Sequence, residues 1–171
     1  MRFKFFFIIF FLSSAPYLFA QSKIGYVDSK LIVESLEDAK DAQRNLDNLV
    51  SQWKSELQQL NDSLSFIKND YEKKKLILTE KVRQQKEEEI KNLEKRISDF
   101  KVAKFGENGE YFHKQNEFMK PVQDKIFKAL QDVAREGNYD YVFDRSSEIL
   151  LLYVNEKYDL TQKVIKRLEG K

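Results

Sequence analysis

Few side chains in this 171-residue chain are placed to do chemistry. His113 is the single histidine, so a paired-histidine metal site is impossible, and beside Phe112 it reads as a packing or surface residue. There is no cysteine, which excludes thiol nucleophiles, disulfides and cysteine zinc sites. Carboxylates are plentiful, but Glu87, Glu88 and Glu89 sit in an alternating charge field of the kind that solvates helix faces. Asp28 and Asp144 each follow an apolar segment, where Asp serves as a helix cap or turn former. Neither a Walker sequence nor a glycine-rich phosphate loop is present. The expectation is a protein that is no enzyme and uses no metal, nucleotide or other cofactor.

Binding surfaces are a different matter. Lys68, Lys73, Lys74, Lys75, Lys81, Arg83 and Lys86 share one window with only Asp70, Glu72 and Glu80 against them, a local excess of four positive charges. Such a patch suits anionic lipid head groups or acidic segments of a partner, and equally a merely solvated helix end. Aromatic residues recur on either side: Trp53, Phe66, Tyr71, Phe100, Phe105, Tyr111, Phe112 and Phe118. Most suit packing between helices. Phe66, Tyr71, Phe100, Phe105, Tyr111 and Phe112 are the candidates for adaptable apolar contacts, with Phe66 and Tyr111 lying off the main apolar stripe.

The elements that position these residues follow from periodicity. Lys23 to Asp28 reads as a short strand, Ile24, Tyr26 and Val27 around Gly25. Asp28 or Ser29 then caps a helix, and no Pro or Gly follows until Gly106. Ala39, Ala42, Leu46, Leu49, Trp53, Leu57, Leu60, Leu64, Ile67 and Tyr71 are spaced 3, 4, 3, 4, 4, 3, 4, 3 and 4 apart. That spacing keeps one stripe facing a partner helix. A second series runs through Ile90, Leu93, Ile97 and Phe100, loses regularity at Phe105 and Phe112, and resumes with Val122, Ile126, Leu130 and Val133. Two stripes in one chain predict a hairpin turning between Lys73 and Thr79, with Thr79 capping the return helix. Arms of about 45–55 residues would be roughly 65–80 Å long. Gly106, Asn108 and Gly109 mark a hinge or a weakened turn, and Pro121 a kink or a helix restart.

After the stop at Gly137-Asn138, Tyr139 to Asp144 and the apolar run Ile149 to Val154 read as strands, and Asp159 to Leu168 as a closing amphipathic helix. Three short strands bury little surface alone, and Ile149, Leu150, Leu151 and Leu152 would form a sticky edge unless another subunit covered it. Ile24, Tyr26, Val27, Ile149, Leu150, Leu151 and Leu152 are therefore the expected oligomer interface. The fold expected is α+β: a long antiparallel coiled-coil hairpin, about residues 29–136, projecting from a small β body of residues 23–28 and 137–171 that oligomerises.

The first twenty residues set the compartment. Arg2 and Lys4 precede the apolar run Phe5 to Leu12, Ser13 to Pro16 break it, and Ala20 offers a small residue for cleavage before Gln21. That order predicts a cleaved signal peptide at 1–20 rather than a membrane anchor, which needs about 18 or more apolar residues. Losing Arg2 and Lys4 from 30 basic residues leaves as many as the 28 acidic ones. Nucleic-acid binders carry a basic excess; none is expected to bind here.

Three segments are similar to one known family. KIGYVDSKLIVES (Lys23 to Ser35) resembles the opening strand and helix of OmpH/Skp periplasmic chaperones. PVQDKIFKALQDVAREGNYDYVFDRSSEILLLY (Pro121 to Tyr153) resembles their return helix and C-terminal strands, and NEKYDLTQKVIKRL (Asn155 to Leu168) their last helix. The resemblance implies a homotrimer whose strands form a central β body with three hairpins around a cavity. It implies an ATP-independent holdase that keeps unfolded outer-membrane proteins from aggregating in the periplasm. The family's archetype is strongly basic, whereas this mature chain is formally neutral. The alternative is an exported coiled-coil scaffold or spacer of the cell envelope.

Overall fold

Ile24 to Val27 forms strand β1, which pairs in parallel with β2, Tyr141–Asp144, in the register Ile24↔Tyr141 to Val27↔Asp144. The computed structural model describes residues 22–146 and 151–170. The expected signal segment, and Ile149 and Leu150 of the expected interface, lie outside them. A parallel pair needs a long crossover, and here everything from Asp28 to Asp140 supplies it. Gly25 is required at this pairing: a Cβ there would come within 2.9 Å of the Leu160 side chain and 3.0 Å of the Tyr139 ring.

Helix α1 (Ser29–Ser35) starts where the Asp28 carboxylate accepts the Leu31 N–H at 2.9 Å. The chain does not then run straight on as the absence of Gly and Pro predicts. Leu36 is extended (φ −88°, ψ 130°), which turns its side chain and Ile32 into one core before α2 begins. Helix α2 (Glu37–Lys74) has 38 residues, about 57 Å, and so falls short of the expected arm length. It reverses over residues 75–79, and the Thr79 hydroxyl accepts from Val82 N–H to open α3 (Glu80–Phe105). The return arm is broken at residues 106–109 before α4 (Glu110–Glu136). Pro121 neither ends nor restarts α4, which continues through it. The loss of one intrahelical hydrogen bond, about 3 kcal/mol, is offset by burial of Val122, Ile126, Ala129 and Val133 on the same helix.

At the end of α4 the left-handed residue is Asn138 (φ 50°), and Gly137 is needed for space, since a Cβ would meet the Tyr139 ring at 2.4 Å. The closing helix α5 (Thr161–Leu168) buries Leu160, Thr161, Val164 and Ile165. With Val27, Ile32, Leu36, Ala39, Ala42, Val122, Ile126, Ala129 and Val133 they make one core at the base of the hairpin.

The third strand expected over Ile149 to Val154 does not form across its described part, residues 151–154, which carry no ladder. The reason is local. The free edge of β1 is taken by the Leu160 N–H bonded to the Tyr26 carbonyl at 2.8 Å and by a single parallel bridge from Tyr26 to Asp159. A 3₁₀ turn at Glu156–Tyr158, capped by Asn155, leads into that bridge.

Two clasps join the ends of the crossover. Asp28 N–H donates to Thr161 Oγ1 at 2.9 Å. The Asp144 carboxylate accepts from Ser29 N–H (3.1 Å), Ser29 Oγ (2.5 Å) and Ser146 N–H (2.9 Å). Partial burial alone would raise the Asp144 pKa, but the bonds from Ser29 and Ser146 outweigh it and hold the carboxyl below its ordinary value. Because the folded pKa is lowered, this stabilisation is complete above the usual carboxylate range and fades as pH falls through the lowered value. Asp144→Ala should cost roughly 2 kcal/mol near neutral pH, and the gap to wild type should shrink in acid; urea unfolding of both proteins at the two pH values measures it.

Candidate functional site

The seam of the hairpin changes character along its length. Near the base the stripe is sealed: Ala39, Ala42, Leu46, Trp53 and Leu60 on α2 are buried, with Ile97 on α3 across from them. Between Leu60 and Ile97, which includes the outer part of both arms and the turn, no residue is buried. Leu64, Ile67, Tyr71, Ile90 and Leu93 are only half-buried there. What closes the outer arm is largely polar. Lys68 pairs with Glu94 at 2.5 Å, and the Tyr71 hydroxyl donates to Glu87. That hydrogen bond is the main reason the Tyr71 phenol titrates above its ordinary value.

Trp53 is the largest side chain of the sealed part. Its ring meets Phe105 edge-on, with centroids 5.8 Å apart and planes at 83°. The Lys104 ammonium lies 5.1 Å from the Trp53 ring centre and 5.9 Å from that of Phe100, within cation–π range. Lys104 also pairs with Glu110 across the break between α3 and α4. The break itself requires its glycines: a Cβ on Gly106 would lie 2.5 Å from the Val102 carbonyl oxygen, and one on buried Gly109 would lie 2.9 Å from the backbone of Lys104 and Gly106. The interruption is thus packed against the continuous helix at its largest side chain.

The six aromatic candidates divide by exposure. Phe66 is the most open, at 74%. Phe105 and Phe112 are exposed to a lesser degree, Phe105 resting on Trp53 and Phe112 edge-on to Tyr111 at 5.3 Å. Tyr71, Phe100 and Tyr111 are half-buried. Val102 and Phe127 are exposed large apolar residues that periodicity did not single out. Both lie beside stripe positions rather than on them, so the test that picked out Phe66 would have found them.

The basic residues around the turn are less free than their sequence suggests. Lys68 and Lys86 are neutralised by Glu94 and Glu89, outside the window in which the excess of four was counted. Lys74 pairs with Asp70, Lys75 with Glu72 and Arg83 with Glu80. Among the described residues, Lys73 and Lys81 carry no ion pair.

At the other end of the molecule the sheet shows one uncovered face. Ile24, Tyr141 and Phe143 are exposed, although parallel strands ordinarily have both faces covered. Beside them an open cleft of about 780 Å³ is lined by Ile24, Tyr26, Phe143, Leu151, Tyr153 and Tyr158, among others. Of this lining, Tyr153 stands 85% exposed, and Leu152, its neighbour in sequence, is 88% exposed. Of the expected interface residues, Tyr26 and Val27 are already buried within the chain, whereas Ile24 and Leu151 line this cleft and Leu152 is exposed. Among the described residues no three His, Asp or Glu side chains are grouped to hold a metal ion, and no helix is long and apolar enough to cross a membrane.

Comparison with known proteins finds both a family and a solved fold that this chain resembles. The family model for outer membrane protein (OmpH-like) matches residues 23–168. A crystal structure of an OmpH-like protein from Caulobacter crescentus CB15, described as a candidate outer membrane chaperone, superposes with a TM-score of 0.73. The two are 16% identical, over 88% of this chain and 86% of that one; at that identity the likeness speaks to the fold. No curated protein matches the chain.

The division of aromatics into sealed and open makes a direct prediction. Trp53→Ala should lower stability by about 3–5 kcal/mol, while Phe66→Ser should stay within about 0.5 kcal/mol of wild type, both read by urea unfolding.

Proposed function

The chain belongs to the OmpH-like family of outer membrane proteins, and from that premise we propose that it is an ATP-independent holdase chaperone of the periplasm. In this reading residues 1–20 are removed on export, and the protein holds unfolded outer-membrane β-barrel proteins while they cross to their membrane. The observation that carries the proposal is the distribution of apolar side chains on the arm. Phe66, Val102, Phe112 and Phe127 are exposed along a hairpin whose outer part holds no buried residue. Scattered apolar contacts on a surface of mixed charge bind many sequences weakly, and several arms acting together raise the joint affinity without any one strong site. Release needs no nucleotide, because a client that folds elsewhere buries its own apolar surface.

Self-association completes the arrangement. The uncovered sheet face and the cleft at Leu151 and Tyr153 are the proposed contact between copies, with a homotrimer as the state implied by the family. The chemistry of the exposed group is apolar and aromatic, which favours burial between subunits. Lys73 and Lys81 at the turn are proposed contacts for anionic lipid.

The test dilutes a urea-denatured β-barrel membrane protein into the exported, purified protein without nucleotide, following light scattering and the mass of soluble species. Aggregation should be suppressed, with a defined complex near one client per oligomer. The combined variant Phe66→Ser, Val102→Ser, Phe112→Ser should keep the native oligomer mass and lose most of the protection. Leu152→Lys, at a side chain open in the single chain, should instead disperse the oligomer. Unaltered aggregation at molar excess of a well-folded oligomer would favour an exported coiled-coil scaffold of the envelope.

A further inference from the structure

The turn at the far end of the hairpin presents the most exposed large apolar side chain of the described residues: Leu76 is 92% and its neighbour Ile77 83% exposed. Both sit in a tight reversal fixed by the Ile77 N–H bonded to the Lys74 carbonyl at 2.9 Å. Leu78 beside them folds back to half-burial, and Thr79 caps the return helix. Two adjacent aliphatic side chains left in water gain nothing from folding, and nothing in the hairpin's packing calls for them.

The charge around them limits what they meet. Between Asp70 and Arg83 there are five cations against three carboxylates. Three of those cations answer Asp70, Glu72 and Glu80. The surplus is Lys73 and Lys81, one on each helix, on either side of Leu76 and Ile77. The pattern is a convex apolar point between two unpaired ammonium groups. A convex point touches little of a partner with a fixed surface, but it enters a soft planar one, where long lysine stems lie along the apolar boundary and keep their charge at head-group level. An anionic leaflet supplies the complementary charge.

We propose that the hairpin tip is a bilayer wedge: Leu76 and Ile77 enter the acyl boundary of an anionic membrane while Lys73 and Lys81 engage phosphate groups at its surface. This rests on the lipid contact proposed above and adds the insertion. It gives the arm two separate surfaces, a side for the client and an end for the membrane to which the client is bound.

The chain has no cysteine, so Ile77→Cys accepts a single polarity-sensitive nitrobenzoxadiazole label in the full oligomer. Vesicles of phosphatidylglycerol and phosphatidylethanolamine should brighten and blue-shift its emission, vesicles of phosphatidylcholine should not, and added salt should reverse the change. In co-sedimentation with the anionic vesicles, the unlabelled double variant Leu76→Ser, Ile77→Ser should bind about tenfold more weakly, with helical circular dichroism and suppression of client aggregation unchanged. Lys73→Gln with Lys81→Gln should weaken binding similarly. Emission that stays that of water while the protein co-sediments would overturn the insertion and leave a purely electrostatic contact. Loss of co-sedimentation altogether would overturn both. A label that responds to an unfolded β-barrel protein and not to vesicles would make the tip a client surface and sink the proposal, without touching the holdase reading.

Discussion

The parallel pairing of β1 with β2 is the constraint on which the rest depends. Two four-residue strands at opposite ends of the chain are held in register from Ile24↔Tyr141 to Val27↔Asp144, and a parallel pair cannot be joined by a tight turn. The hairpin is the crossover. Because both of its feet must return to one small sheet, α1, the start of α2, the end of α4 and α5 are brought together, and their apolar faces make the core. The clasps at Asp28–Thr161 and Ser29–Asp144 lock the strand ends to the helices that leave and close them.

A gradient of burial follows from that arrangement. Packing is dense where four helices and the sheet converge, thins to a two-helix seam at Trp53, and beyond Leu60 has no buried residue. Elements held by few buried contacts open at low free energy while the core stays shut. Under the proposed function, a firmly packed foot with a loosely closed arm would suit clients of different size. It arises here from packing: Leu46, Trp53 and Leu60 are buried toward the base, whereas Leu64, Ile67, Ile90 and Leu93 are only half-buried and ion pairs such as Lys68–Glu94 bridge the outer arm. The charged surface keeps the loosened arm soluble.

Much of this was legible in the sequence because helix packing is a one-dimensional pattern. Each stripe residue from Ala39 to Tyr71 is buried or half-buried, and the turn at residues 75–79, the Thr79 cap and the stop at Gly137-Asn138 stand where spacing and residue type put them. The failures are all matters of tertiary context. Leu36 interrupts the outgoing helix without a breaker residue, because the base core captures its side chain. The restart offered for Pro121 does not occur, because the buried face on which Val122 and Ile126 lie carries α4 through it. Leu151 to Val154 look like a strand, but the edge of β1 they would need is occupied by Asp159 and Leu160. Among the binding candidates, periodicity already set Phe66 apart from the stripe that holds Tyr71, but the partners of Phe105 and Tyr71, Trp53 and Glu87, lie on the opposing helix and cannot be read from spacing.

The central claim is that the loosely closed arm, and not the body, takes up the client. Hydrogen exchange followed by mass spectrometry, on the oligomer alone and with an unfolded β-barrel protein bound, tests it most directly. Amides of residues 61–96 should exchange much faster than those around Ile32, Val133 and Val164 in the free protein; when the client binds, those around Phe66, Val102 and Phe112 should gain protection while the base and the turn at 75–79 stay unchanged. An outer arm already as protected as the base, or client protection confined to the cleft beside β1, would contradict it.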